Sequence, residues 1–274
     1  MKRTSLLYPR LVAFIPAFLL LVSLQSCVHY YYGPNSNNIP LLKKSGDMNI
    51  SAGITEASES SGFEMQSAIA AGKHVGIMVN YYSAKGKDNS STQIWDGFTY
   101  TQTTYNESGS GQYLEGAMGY FTRINETAIF EVYGGYGTGS ITNTYSQFGS
   151  TKVSASKLFL QPSFGYSSEK GALEFAISSR FASVSLRPEE QRVVVDGHPA
   201  QEALSELRKK TSHFFWEPGF MVRGGFESMK IQLQYTHSSE GGTHNYQTQH
   251  GVFSLSLLFR FSTTKNFIDL LKHG

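Results

Sequence analysis

Apolar and polar residues alternate with a period of two along most of this 274-residue chain, and this pattern limits its fold more than any other feature. In segment 226–238, Met229 and Ile231 lie on one face of an extended chain, while Lys230 and Gln232 lie on the other. Successive side chains of a β-strand point to opposite faces, so the pattern predicts strands with one apolar and one polar face. Ten such strands are predicted, at 47–55, 63–71, 73–82, 112–122, 127–138, 153–166, 170–185, 212–224, 226–238 and 247–262.

An all-β chain with this pattern has two architectures open to it. A soluble sandwich or lipocalin buries the apolar faces and exposes the polar ones, whereas a transmembrane barrel turns the apolar faces to lipid and the polar faces to its lumen. Only 16% of the residues are charged and 14% are aromatic, and the predicted strands reach the roughly 9–11 residues that cross a bilayer. Repeated apolar runs of about 20 residues are missing, which excludes a bundle of transmembrane helices.

The connections between the predicted strands alternate in length. Tight turns are predicted near 72–73, 123–126, 168–170 and 225–227, and longer connections near 56–62, 84–111, 140–150, 187–211 and 238–246. Short periplasmic turns and long external loops are typical of outer-membrane barrels. The sequence therefore predicts a closed, antiparallel, up-and-down transmembrane β-barrel over residues 46–263, with about ten strands, a small lumen and both chain termini on the periplasmic side.

The N-terminal part of the chain has the features of an export signal. Basic residues precede an apolar stretch at 11–24, which predicts a signal peptide over residues 1–26. The sequence Leu-Gln-Ser-Cys at 24–27 looks like a bacterial lipobox, which predicts cleavage before Cys27 and an acyl lipid on this residue. Cys27 is the only cysteine, so the chain forms no internal disulfide. An ordinary cleavage site followed by an unmodified cysteine, and an uncleaved transmembrane anchor, are the alternatives.

Two further segments flank the predicted barrel. Residues 27–45, rich in tyrosine and asparagine, are predicted to form a lipidated tether, and residues 264–274 a periplasmic tail with the pattern of a short amphipathic helix. The signal peptide contains three basic residues and no acidic ones, so its removal changes the net charge from +2 to −1. This charge gives no electrostatic reason to expect a nucleic-acid partner, and outer-membrane lipid is the partner that the pattern predicts.

Several stretches carry a resemblance to a known family. They lie at 38–44, 73–81, 130–137, 159–166 and 257–261. In these stretches and in the order of its segments, the chain resembles the small outer-membrane β-barrel lipoproteins of diderm bacteria. The resemblance spans most of the chain after the signal peptide, although each stretch is a generic barrel signature. It implies a barrel fold and an outer-membrane location, and it implies no activity, because the family has none established.

Charged residues fall on the polar faces of different predicted strands and are therefore expected to face the lumen. They are Glu115, Glu131, Lys157, Glu174, Arg180, Glu217, Arg223, Lys230 and Arg260. Burial costs a charge on the order of several kcal/mol of hydration unless it is paired or hydrogen-bonded, so these acids and bases are predicted to pair across a narrow lumen. A gated, selective channel is the alternative function for the same residues.

The chain carries one weak indication of catalysis. His237 and Ser239 lie two residues apart at the end of a predicted strand, on the same side, and Glu240 follows. A histidine can activate a serine hydroxyl when an acid orients it, and this arrangement faintly resembles that of outer-membrane lipid A deacylases. A polar strand end that enters a loop is the simpler interpretation, because serine is abundant in the chain. No catalytic residue is therefore assigned.

Acidic residues and histidines of the predicted loops provide the residue types of two other kinds of site, an outer-membrane aspartyl-type protease and a metal site. The protease set comprises Asp88, Asp96, Asp196 and His198, and the metal set comprises His237, His244 and His250. Neither set has the surrounding motif or the ligand spacing that such a site requires. The sequence therefore predicts no enzyme, no metal and no cofactor apart from the acyl lipid on Cys27.

The long connections at 84–111 and 187–211 are the predicted interaction surface. The first is rich in Ser, Thr, Asn, Gln and Tyr, a composition suited to adaptable recognition, and the second contains a short helix predicted over 199–210. We therefore expect a lipid-anchored outer-membrane barrel without enzymatic activity, which is structural or binds an extracellular ligand through these loops. A narrow solute channel, a lipid-modifying hydrolase that uses His237 and Ser239, and a lipidated soluble β-domain are the alternatives.

Overall fold

Ten long antiparallel strands form the wall of a closed barrel. The computed structural model describes residues 30–95, 100–145, 149–168, 171–191, 199–242 and 246–262. The predicted signal peptide, Cys27 and the predicted tail at 264–274 lie outside these residues. The elements are β1 (Tyr30–Tyr32), β2 (Asp47–Glu56), β3 (Ser60–Ala70), β4 (Val75–Trp95), β5 (Tyr100–Arg123), β6 (Ala128–Tyr145), β7 (Gly149–Ser167), β8 (Leu173–Gln191), α1 (Pro199–Lys209), β9 (Ser212–Gly225), β10 (Met229–His237), β11 (Ser239–Glu240), β12 (Gln247–Thr248) and β13 (Gly251–Ser262).

The barrel closes because its first and last long strands pair with each other. From β2 to β10 each strand pairs antiparallel with the next one in the chain, β10 also pairs with β13, and β13 returns to β2. The closing register runs from Phe253 opposite Glu56 to Ser262 opposite Asp47. The wall therefore comprises β2 to β10 and β13. The predicted fold class, an all-β closed antiparallel barrel of about ten strands, is confirmed.

The apolar faces of the strands point outward and the polar faces point inward. In β10, Ile231 is 59% exposed, whereas its neighbours Lys230 and Gln232 are 1% and 0% exposed. The same inversion recurs around the wall at Leu114 of β5 and Ile177 of β8, which are both largely exposed. A soluble β-domain would bury these apolar faces. The observed arrangement is that of a transmembrane barrel, with an apolar band outside and a polar interior.

The two ends of the barrel differ in their connections. At one end, here called the short-turn end, turns of three to five residues join β3 to β4, β5 to β6, β7 to β8 and β9 to β10. At the opposite end, here called the long-loop end, the strands from β4 to β8 continue far beyond the bilayer-crossing length. These five strands have 18 to 24 residues each, about twice the roughly 9–11 residues that span a membrane.

Several predicted loops are shorter in the structure because the strands continue into them. β4 extends to Trp95 and β5 starts at Tyr100, so most of the predicted loop at 84–111 is a paired hairpin. The hairpin sequence is polar at successive positions, so the alternation ends there although the backbone pairing continues. In the predicted loop at 187–211, β8 continues to Gln191, and α1 confirms the predicted helix.

The helix α1 packs onto the long-loop end of the wall. Ala203, Leu204 and Leu207 are buried on one of its faces, and they belong to the same apolar cluster as Leu186 of β8. Acidic and basic residues at its first and last turns complement the helix dipole. Within the described residues, no helix is long and apolar enough to cross a bilayer.

Residues 30–42, here called the luminal segment, run through the inside of the barrel. Tyr30 pairs with Gln247 at the long-loop end. At the short-turn end, the backbone N–H groups that directly follow the segment donate to the Asp47 carboxylate. From residue 31 to residue 42 every side chain is buried, and only Gly33 is partly accessible.

Most of the residues that the sequence predicts as a tether over 27–45 belong to this luminal segment in the structure. A tether would be surrounded by solvent, whereas residues 30–42 take their contacts from the inner face of the wall. The described chain therefore starts at the long-loop end and, at Ser262 of β13, ends at the short-turn end. The chain termini that are predicted to share the periplasmic side lie outside the described residues. Within the described residues, the N-terminal segment passes through the lumen, so the two ends of this part lie at opposite ends of the barrel.

Candidate functional site in the barrel lumen

Asparagine side chains tie the luminal segment to the wall. The Asn37 amide donates to the Ser178 hydroxyl and to the Glu217 main-chain carbonyl, both at 2.9 Å. The Asn38 amide donates to the side-chain oxygen of Asn80 at 2.7 Å. Only the start of the segment pairs in a sheet, so side chains supply most of the partners that its buried polar groups need.

Four charged residues of the wall form an upper charge cluster, which comprises Glu115, Lys157, Arg180 and Glu217. Lys157 Nζ lies 2.6 Å from Glu115 Oε1. Arg180 Nη1 lies 3.7 Å from Glu115 and 3.6 Å from Glu217, and so bridges the two acids. The luminal segment completes the cluster, because Asn35 Oδ1 accepts hydrogen bonds from Lys157 at 2.8 Å and from Arg180 at 3.2 Å.

A lower charge cluster lies nearer the short-turn end and comprises Glu174, Arg223, Lys230 and Arg260. Arg260 donates to both carboxylate oxygens of Glu174, at 2.7 and 3.1 Å, the bidentate geometry of a strong ion pair. Arg223 and Lys230 lie 3.6 and 3.9 Å from the same carboxylate. Arg223 also donates to the carbonyl of Ile39 at 2.7 Å, which attaches the luminal segment to this cluster.

Glu131 binds the luminal segment without a basic partner at ion-pair distance among the described residues. Its two carboxylate oxygens accept hydrogen bonds from the backbone N–H groups of Leu41, at 3.1 Å, and Leu42, at 2.8 Å. Glu131 is fully buried. Hydrogen bonds from two peptide groups therefore take the place of the salt bridge that the sequence suggests.

Glycines of the wall leave space for the leucines of the luminal segment. A Cβ atom on Gly165 of β7 would lie 2.3 Å from Leu41 Cδ2. A Cβ atom on Gly76 of β4 would lie 3.0 Å from Leu42 Cδ1. Both distances are shorter than ordinary carbon–carbon contacts, so the segment and the wall fit closely only because these positions lack side chains.

All nine residues predicted to face the lumen do lie inside the barrel, where eight are buried and Arg260 is half-buried. Strand periodicity does not predict their second set of partners, the luminal segment. The run of amide and hydroxyl side chains at 35–38 is the feature of the sequence that could have indicated this segment. Asparagine both donates and accepts hydrogen bonds, which suits it to bridge buried acids and bases.

A cavity of about 90 Å³ opens at the long-loop end, between the luminal segment and strands β3 to β6. The inward positions of β4 and β5 carry small residues there, namely Ala84, Gly86, Gly109 and Gly111. Four tyrosines border the space, namely Tyr30 and Tyr32 of the luminal segment and Tyr82 and Tyr113 of the wall. Asn143 and Gln249 add amide groups. Part of the predicted interaction region at 84–111 therefore lines a pocket.

The predicted His237 and Ser239 pair lacks the acid that would orient it. Glu240 Oε1 lies instead 2.8 Å from Nδ1 of the buried His213, and it accepts a hydrogen bond from Tyr246 at 2.7 Å. Burial and the adjacent carboxylate raise the pKa of the Tyr246 hydroxyl well above its usual value. This His213–Glu240–Tyr246 cluster joins β9 to the β10–β13 connection, and no motif or spacing in the sequence predicts it.

The residues of the predicted protease and metal sites are only partly described. Asp96, Asp196, His198 and His244 lie outside the described residues, as does the side chain of Asp88. The rings of His237 and His250 stack with their centres 6.4 Å apart. In the described part of the chain, no group of three or more His, Cys, Asp or Glu side chains is placed to hold a metal ion.

Comparisons with known proteins add distant structural similarities. No family model and no curated protein sequence matches the chain. The structure is similar to that of Ail, the attachment invasion locus protein of Yersinia pestis, with 12% identity, a TM-score of 0.33, and coverage of 79% of this chain and 99% of that chain. It is also similar to a major outer membrane protein from Thermus thermophilus, with 12% identity, a TM-score of 0.35, and coverage of 78% and 98%. The strand pairing of this chain, and not these similarities, defines the barrel fold.

Proposed function

We propose that this protein is an outer-membrane β-barrel that is closed by its own luminal segment and has a structural or surface-binding role at its long-loop end. The outward apolar faces support a membrane location, because such faces are stable against lipid and not against water. Outer-membrane lipid is then the partner of the wall. No enzymatic role is proposed, because the one candidate acid, Glu240, is engaged with His213 and Tyr246.

The filled lumen is the observation that carries this proposal. A water-filled channel requires an open interior, which barrels of 16 to 18 strands have and small ones lack. Here ten strands enclose residues 30–42. The side chains of the upper and lower charge clusters bind that segment and pair with charged residues of their own cluster. The narrow solute channel expected as an alternative would require the luminal segment to leave.

Single-channel recording in planar bilayers tests the closed barrel. We expect the wild-type protein to give no current steps. Replacement of residues 34–42 by a glycine–serine sequence of equal length should give ion conductance, because it empties a lumen lined by charged residues. Glu189→Ala serves as the control, since it removes an exposed charge outside the lumen and should leave the protein silent.

Folding of each variant is verified by its shift in gel mobility between heated and unheated samples. Steady current steps from the wild-type protein would contradict the closed barrel and show that the protein is a channel. A folded glycine–serine variant without conductance would show that the luminal segment is not what closes the pore.

We further propose that Cys27 carries an acyl lipid and that this lipid enters the membrane from the long-loop end. Two residues, Val28 and His29, lie between Cys27 and Tyr30, so the Cα atoms of Cys27 and Tyr30 are no more than about 11 Å apart along an extended chain. Tyr30 lies at the long-loop end. If the short turns face the periplasm, as in outer-membrane barrels generally, the lipid would lie in the external leaflet.

Mass spectrometry of the N-terminal peptide and surface labelling test this anchor. We expect an acyl mass on Cys27, and an epitope tag inserted after Val28 should be accessible to antibody on intact cells. A tag placed in the short turn at Ile124 is the control and should be accessible only after the cells are opened. The reverse accessibility of the two tags would overturn the orientation, and an unmodified Cys27 would overturn the lipid anchor.

A further inference from the structure

We propose that the cavity at the long-loop end binds a single pyranose ring of a neutral saccharide. This inference rests on the proposed surface-binding role, to which it gives a ligand class. The cavity lies between the luminal segment and the extended parts of β4, β5 and β6, and it is bordered by Tyr32, Tyr82 and Tyr113. Its volume of about 90 Å³ suits one small ring and not an extended chain.

The tyrosine rings suit a ligand that has an apolar face. The face of an aromatic ring carries partial negative charge, and the C–H bonds of one side of a pyranose ring carry partial positive charge. Tyr32 is fixed by its hydroxyl, which donates to Glu217 at 2.5 Å, and by contact with Phe215, whose ring centre is 4.1 Å away. The Tyr32 ring is therefore held in place before a ligand arrives, which reduces the entropy lost on binding.

Several polar groups that line the cavity could form hydrogen bonds with the hydroxyl groups of a ligand. The Tyr113 side chain is 3% exposed, and its hydroxyl has no hydrogen-bond partner in the described part of the chain. The Asn143 amide nitrogen donates to the Tyr30 carbonyl at 3.1 Å, and the Gln249 amide nitrogen donates to the Ser60 hydroxyl at 3.1 Å.

The amide oxygens at the same two positions accept no hydrogen bond from the residues that the structure describes. A ligand that fills the cavity must therefore offer donors to two carbonyl-type oxygens, and a donor or acceptor to a phenol. Hydroxyl groups spaced around one ring meet both demands, because each can donate and accept.

The charges around the cavity indicate a neutral ligand. Lys87 and Glu59 line it with opposite signs. Lys157 lies beneath the tyrosines, with its ammonium nitrogen 5.5 Å from the centre of the Tyr113 ring, but Glu115 neutralises it at 2.6 Å. Neither a phosphate nor an ammonium group would find an unpaired opposite charge at the base of the cavity, and a neutral sugar needs none.

Two variants with matched controls test the site in the purified full-length protein in lipid nanodiscs. Gly111→Leu fills the cavity, because a Cβ atom there would meet its nearest atom, in Ile141, at an ordinary 3.6 Å. Its control is Gly116→Leu on the outer face of the same strand, where a Cβ atom would meet nothing within 4 Å. Tyr113→Phe removes only the unpartnered hydroxyl, and its control is Tyr136→Phe on the exposed outer face.

Saturation-transfer-difference NMR with the methyl glycosides of glucose, galactose, mannose and N-acetylglucosamine provides the measurement. We expect transfer to the ring protons of at least one glycoside. Tyr113→Phe should weaken its affinity by about tenfold, the effect of one lost hydrogen bond, and Gly111→Leu should abolish transfer. Both control variants should match the wild-type protein.

Absence of transfer from all four glycosides to a folded wild-type protein, or equal transfer in Gly111→Leu, would overturn the saccharide site. Either result is compatible with the proposed closed barrel if the same preparation is heat-modifiable on gels and gives no current in planar bilayers. Conductance of the wild-type protein would instead contradict the proposed function itself, so the two failures are distinguishable.

Discussion

Individual polar residues of the lumen have partners on both the wall and the luminal segment. Asn35 accepts hydrogen bonds from two bases, whereas Asn37 donates to a hydroxyl and a carbonyl. Glu131 accepts from two consecutive peptide groups. A buried group that loses such a partner keeps the full cost of its lost hydration. Single substitutions in the lumen should therefore affect stability more than equal substitutions on the rim.

Glu131→Ala tests this difference directly. The substitution leaves the backbone N–H groups of Leu41 and Leu42 buried without their acceptor, which should lower the free energy of unfolding by about 2–4 kcal/mol. Urea unfolding of the protein in lipid vesicles, followed by gel mobility, gives the measurement. In the control Glu189→Ala, an exposed carboxylate that lies 2.8 Å from Lys152 is removed, and no measurable change is expected. Equal losses in both variants would show that Glu131 does not hold the segment.

At the scale of elements, alternation predicts strands only where the two faces of a strand meet different surroundings. β10 follows the pattern residue by residue, because Ile231 meets the outside and Gln232 meets the lumen. The hairpin of β4 and β5 beyond residue 87 has polar residues at successive sequence positions, so periodicity does not predict its strands although their backbones pair.

The luminal segment could not be predicted from periodicity, for a different physical reason. It has no repeating pattern, since its side chains contact the wall in all directions. Its partners are also distant along the chain: Asn37 contacts Ser178, 141 positions away, and Asn38 contacts Asn80, 42 positions away. The charged residues of the wall were predictable because strand periodicity fixes the face on which each lies. The tyrosine-lined cavity was not, because it forms only where the segment meets the wall.

The helix α1 is a separate element whose stability can be measured apart from the barrel. Leu204 is fully buried against the long-loop end, so Leu204→Ala should destabilise the local structure by about 2–3 kcal/mol. Hydrogen exchange of the α1 amides should then accelerate by roughly 30- to 150-fold, the factor that this free energy represents. Lys209→Ala, at an exposed position of the last turn, is the control, and it should cost only the roughly 0.3–1 kcal/mol of a charge that interacts with the helix dipole. Faster exchange throughout the wall would mean that α1 stabilises the whole barrel.

The whole molecule is inverted relative to a soluble protein, with charges at its centre and apolar side chains on its surface. The lumen is closed by a segment of the same chain, so the polar interior needs no water-filled pore to be stable. The outer surface of the wall needs a partner outside the chain, because its exposed Leu, Ile and Phe side chains require a lipid environment. The polar inner face and the apolar outer face of the wall follow from one alternating pattern, and only the surroundings of the wall decide whether that pattern is stable.

A pair of arginine substitutions tests which surroundings the wall has. Ile177 of the outer band and Ile124 of a short turn are 64% and 60% exposed. In water, arginine at either position would have a similarly small effect. In a bilayer, Ile177→Arg should lower the free energy of unfolding by about 2–4 kcal/mol, because it places a charge in the hydrocarbon region, whereas Ile124→Arg should cost about 0–1 kcal/mol near the interface. Unfolding in phospholipid vesicles measures both values. Equal, small effects would show that the apolar band does not face lipid, and a soluble β-domain would then be the correct interpretation of the fold.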